Sequence, residues 1–121
     1  MIDKIRVMIY VDDINLNRDF WQTNFNAEIT DVLDLPGGYT GITLSLNRDI
    51  ELGIFPRDFV KEYSPEVADN VPSLMLFTDN FKQIRSRLDN PGEIMVQAGL
   101  ISCNFADPDG NYFVLAKKQA K

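Results

Sequence analysis

Ile5-Arg6-Val7-Met8-Ile9-Tyr10-Val11-Asp12-Asp13 returns 67 positions later as Pro72-Ser73-Leu74-Met75-Leu76-Phe77-Thr78-Asp79-Asn80. Each copy leads into a helical pattern, so one strand-turn-helix design is used twice. Repetition constrains the architecture before any motif is consulted, because each copy has a sheet face that its own helix must cover.

Around the first copy, Asp12 or Asp13 is placed to cap a helix predicted from about Ile14 to Phe25. Ile14, Phe20, Trp21 and Phe25 form its apolar stripe, with Asn15, Asn17, Arg18 and Asp19 expected to face water. Strand patterns follow at 28–35, 39–46 and 50–55, parted by the turn-forming Pro36-Gly37-Gly38 and Asn47-Arg48-Asp49. Residues 56–71, with six charged side chains and prolines at Pro56 and Pro65, read as a connector, with a short helix or a mobile lid as alternatives within it. The second copy repeats the order, with a strand at 73–77, a helix at 80–88, and strands at 93–98, 99–104 and 112–117. The expected fold is α+β, two βαβββ repeats forming curved mixed sheets around a cup-shaped cavity. Residues 1–121 make one domain, with 1–55 and 72–121 as its two units.

Strand parity then sorts the side chains. Val7, Ile9 and Val11 share one face, opposite Arg6, Met8 and Tyr10; Leu74 and Leu76 oppose Ser73, Met75 and Phe77. Ile50, Leu52 and Ile54 likewise oppose Glu51, Gly53 and Phe55, and Phe113 and Leu115 oppose Tyr112, Val114 and Ala116. With the aliphatic faces under the helices, the remaining faces are rich in Met, Tyr and Phe, and burying each such side chain gains roughly 1.5–3 kcal/mol. A second chain, the curl of the sheet, or a small molecule is expected to cover them.

Composition excludes several classes. At 121 residues the chain can bury roughly two thirds of its unfolded surface without staples. The single Cys103 excludes an intrachain disulfide and reads as a buried small hydrophobe, since no histidine is present to activate it. The same lack removes serine and cysteine triads. A net charge of −6 opposes binding to nucleic acid or anionic membranes and mildly favours a cationic partner. Arg85 and Arg87 are too few for a nucleic-acid surface. Gly37-Gly38 sits in a turn without the helix that a phosphate loop needs, and Trp21 belongs to the core. No apolar run approaches the roughly 18 residues of a membrane span and no secretory signal opens the chain, so a cytoplasmic location is expected.

Phe105-Ala106-Asp107-Pro108-Asp109-Gly110-Asn111 precedes the last strand, with proline and glycine preset for a tight turn. After a doubled βαβββ pattern, this stretch resembles the closing motif of the vicinal oxygen chelate superfamily, which includes glyoxalase I, extradiol dioxygenases and bleomycin resistance proteins. Val11-Asp12-Asp13 followed by Phe20-Trp21 is similar to that family's opening. The resemblance implies metal-ligand positions at Arg6, Glu51, Ser73 and Val114, of which only Glu51 is an effective ligand. It therefore implies a member without metal or other cofactor, in which the Arg6 guanidinium fills the vacated space beside Glu51. A homodimer is also expected from the resemblance.

The leading expectation is a non-catalytic protein of the antibiotic-resistance type that holds or sequesters a small, flat, partly apolar, even cationic molecule. Arg6, Glu51 and Ser73 would orient it, Met8 and Met75 adapt to it, and Tyr10, Phe55 and Phe77 stack on it, with Tyr39, Phe59 and Tyr63 closing the mouth from the loops. The alternatives are a glyoxalase- or dioxygenase-like enzyme with an atypical metal site and a structural or regulatory dimer without ligand.

Overall fold

The computed structural model describes residues 1–119. It contains β1 (Ile5–Val11), α1 (Ile14–Phe25), β2 (Glu28–Asp34), β3 (Thr40–Ser45), β4 (Ile50–Pro56), α2 (Arg57–Tyr63), β5 (Met75–Phe77), α3 (Phe81–Arg87), β6 (Met95–Gln97), β7 (Leu100–Ala106) and β8 (Tyr112–Lys118). Short 3-10 turns occupy Pro36–Gly38 and Pro65–Val67. The strands form two four-stranded mixed sheets, in the order β1-β4-β3-β2 and β5-β8-β7-β6. In each, the first strand pairs parallel with the fourth and the others pair antiparallel. The α+β fold of two βαβββ repeats is thus present, and the chain divides into compact units Met1–Pro72 and Ser73–Lys121.

In the first unit, Asp13 accepts the Leu16 amide at 3.0 Å and starts α1, and Asn26 ends it in the left-handed region at φ 54°. The helix lies on β3 and β4, and Ile9, Val11, Trp21, Leu44, Leu52 and Ile54 are buried with it. Phe20, Trp21 and Phe25 pack together, with centroids of Trp21 and Phe25 5.0 Å apart. Asn17 departs from expectation: it is buried, and its side-chain amide donates to the Asp13 carbonyl at 3.0 Å. The reason is helical spacing, since Ile14, Asn17, Trp21 and Asn24 stand three or four residues apart and share a face.

Within the stretch read as a connector, residues 57–63 form the short helix α2, one of the two alternatives expected there, and this helix belongs to the first unit. Arg57 fixes its start by donating to the Tyr10 carbonyl at 2.8 Å and to Asp12 at 3.3 Å. Phe55, Phe59 and Tyr63, each four residues apart, stack down one side, with centroid separations of 6.0 and 5.1 Å. Tyr39 meets Phe59 edge-on at 5.6 Å.

In the second unit α3 lies on β8, and Phe81, Ile84, Cys103, Phe105, Phe113 and Leu115 are buried. Burial pushes the Cys103 thiol above its ordinary value, consistent with the structural role expected of it. The Asp-Pro-Asp-Gly turn is held by Asp107, which accepts the amides of Asp109 at 3.0 Å and Asn111 at 2.8 Å, while Gly110 takes φ +81°.

Candidate functional site

Parity along β1 and β4 places Arg6, Met8 and Tyr10 beside Glu51, Gly53 and Phe55 on the sheet face away from α1, in register pairs Arg6↔Glu51, Met8↔Gly53 and Tyr10↔Phe55. Glu51 sits on this open face yet is only 4% exposed. Two cations cover it: Arg6 donates through Nε to one carboxylate oxygen at 2.6 Å, and Lys4 donates to the other at 3.0 Å. Hydrogen bonding to Arg6, reinforced by Lys4 and opposed by burial, holds the Glu51 carboxyl below its ordinary range. Lys4 was not singled out in the sequence, although it stands two residues before Arg6 and so shares its face.

Gly53 makes the arrangement possible. A Cβ there would lie 3.0 Å from Cδ of Arg6 and 3.1 Å from the sulfur of Met8, so both side chains lie across the bare backbone. Gly41 does the same for Phe55, whose ring would stand 3.1 Å from a Cβ. Beside this platform, Met8, Tyr10, Asn70, Val71 and Pro72 line a groove of about 430 Å³. Tyr39 stands against Phe59, the middle ring of the aromatic stack, and donates its hydroxyl to Glu62 at 2.9 Å, which raises the phenol pKa.

In the second unit the corresponding face carries Met75, Phe77, Met95 and Tyr112, all exposed, with Tyr112 at 71%. Ser73 is exposed just before β5. Register revises one equivalence between the repeats. Glu51 pairs with Arg6, whereas Val114 pairs with Met75, two residues along the same face from Ser73. A shift of two residues keeps a side chain on the same face, which is why parity alone did not reveal it.

The metal set implied by the resemblance therefore does not fit this chain. Arg6 is a cation, both Glu51 oxygens accept from cations, Ser73 is a weak ligand and Val114 has no ligand atom. Among the described residues no group of three His, Cys, Asp or Glu side chains is arranged to hold an ion.

A model of the Glyoxalase/Bleomycin resistance protein/Dioxygenase superfamily matches residues 5–115, and the chain belongs to that superfamily. No curated protein matches it. Among solved structures, TnmS3, an antibiotic binding protein from a Streptomyces species, is 16% identical with a TM-score of 0.76, over 96% of this chain and 95% of that one. The lactoylglutathione lyase of Agrobacterium tumefaciens is 18% identical with a TM-score of 0.69, over 93% and 91%. The fosfomycin resistance protein FosX of Listeria monocytogenes is 17% identical with a TM-score of 0.67, over 95% and 92%. At these identities the likeness is one of fold. No helix among the described residues is long and apolar enough to cross a membrane.

Proposed function

We propose that this protein binds and sequesters a small, flat, partly apolar molecule without transforming it. The carrying observation is the buried Glu51 carboxylate neutralised by Arg6 and Lys4 at the place where metal-dependent relatives are expected to hold their ion. A built-in cation leaves that face able to orient a ligand by charge and hydrogen bonds, with no open coordination position for Lewis-acid chemistry. Tyr10 and Phe55 offer flat surfaces next to the adaptable Met8, the composition of a small-molecule site. Similarity of fold to an antibiotic binding protein is in keeping with this role.

The test is metal analysis of purified protein followed by thermal-shift screening against planar antibiotics. Less than a tenth of an equivalent of metal per chain is expected, with a melting temperature raised by at least one compound. Stoichiometric manganese, iron, nickel or zinc would overturn the reading in favour of a glyoxalase- or dioxygenase-like enzyme. A second reading, a homodimer covering its own aromatic face, is favoured by the exposed Met75, Phe77, Met95 and Tyr112. Light scattering that shows a dimer, with no compound raising its melting temperature, would select it.

A further inference from the structure

Overall charge and local charge point to opposite ligands. The chain carries −6, which favours cations at long range. At physiological salt, however, exposed charges are screened within about 8 Å, so the groups lining the site decide what docks there.

On the open face of the first sheet those groups are two cations around one carboxylate, which leaves a positive charge over. The Glu51 oxygens are already taken up by Lys4 and Arg6, which removes the carboxylate as a partner for a ligand cation. The acidic Glu28 and Asp31 stand across the sheet on β2, level with Ser45 and Thr43, with two strands between them and β1.

Arg6 is also oriented. It meets Glu51 through Nε alone, and its two terminal Nη groups make no hydrogen bond among the described residues, while the side chain is 45% exposed. Its stem lies across Gly53, which limits the freedom that an exposed arginine loses on binding. A guanidinium anchored at one edge presents the other as a planar pair of donors, matched to two oxygens of a carboxylate, sulfonate or phosphonate. Next along the same strands lie Met8, then Tyr10 and Phe55, an apolar and aromatic strip leading away from the charge.

We infer that the molecule held on this face is an anion, a flat apolar body ending in a carboxylate-like group that pairs with the Nη edge of Arg6 while its rings lie toward Tyr10 and Phe55. This inference rests on the binding role proposed above and reverses the cationic preference drawn from net charge.

Calorimetric titration with three matched probes separates the two: 2-naphthoate, the neutral 2-naphthamide, and the cationic 2-naphthylmethylammonium. Naphthoate is expected to bind about tenfold more tightly than the amide, with the ammonium weakest, and to weaken as salt rises. Arg6→Met should remove the naphthoate advantage, so that naphthoate and the amide bind alike. Because that variant also lowers the local charge from +1 to zero, the double variant Arg6→Met with Glu51→Gln restores +1 through Lys4 and should show the same loss, which separates the Arg6 fork from charge alone. Phe55→Ala should weaken all three probes. Ammonium binding as tight as naphthoate binding overturns the anionic assignment, and a naphthoate advantage that survives in the double variant overturns the pairing with Arg6, each while leaving a binding role intact. Failure of all three to bind at millimolar concentration overturns both.

Discussion

The two units are built to one plan and finished differently. The first has seven-residue strands β1 and β4, paired along their length, and a twelve-residue helix; the second begins with the three-residue β5 and has a seven-residue helix. The consequence is visible at equivalent positions. Ile9, in the first copy, is 1% exposed, whereas Leu76, its counterpart, is half-buried. On the helix side of the second sheet, Phe81, Ile94, Val96 and Ile101 border a groove of about 590 Å³. Repetition thus sets topology, while helix length sets how fully each copy's apolar surface is covered.

The largest effect expected from this difference follows from truncating those two residues. Ile9→Ala removes side-chain volume from a closed interior and should cost about 3–4 kcal/mol in urea unfolding; Leu76→Ala, already part-solvated, should cost about 1–2 kcal/mol. Equal losses would break the comparison, because they would mean that Leu76 is covered in solution as fully as Ile9.

Charge separates the units next, and here the sign can be worked out. The Glu51 carboxyl is held below its ordinary 4.5, so its contribution is present above 4.5 and is lost as pH falls through the lower folded value. Its partners are about half exposed, and screening limits the contribution to about 1 kcal/mol. Glu51→Gln should therefore lower the urea midpoint at neutral pH and make progressively less difference well below 4.5. In the second unit the Asp107 carboxyl is raised above its ordinary 3.8, chiefly by burial. Its linkage has the opposite sign: the favourable contribution belongs below 3.8 and is lost as pH rises through the folded value. Amide exchange followed by mass spectrometry can read the two sheets separately, and parallel pH trends in both would contradict these assignments.

How much of this was legible depended on whether a signal was periodic. Both repeats, the helix at Ile14–Phe25 and the strand faces were readable because alternation and helical spacing are properties of consecutive residues. The pairing of Arg6 with Glu51 followed from the family resemblance, and the 2.6 Å contact bears it out. What escaped had no local signature. Lys4 as a second cover for Glu51, and Gly53 as the platform beneath Arg6, depend on how long side chains fold back over a sheet. The pairing of Val114 with Met75 rather than with Ser73 depends on strand register, which parity leaves free by steps of two. Asn17 lies on the buried face that its spacing from Ile14 and Trp21 marks, although its polarity alone points to water.

The smallest expected effect is the one that tests whether the second unit's open face stays bare. Phe77 is 54% exposed, so Phe77→Ser gives up little buried area and should change stability by no more than about 0.5 kcal/mol. Phe55, in the same row of the other copy, contacts Phe59 at 6.0 Å and lies over Gly41, so Phe55→Ser should cost about 2 kcal/mol. The informative departure is a large loss at Phe77. A side chain that is open within one chain can matter that much only if something covers it, and protein concentration then identifies the cover. A loss that grows with concentration indicates a second copy of the chain, because association stabilises by mass action. A loss that is independent of concentration, and that vanishes after exhaustive dialysis of the parent protein, indicates a retained small molecule.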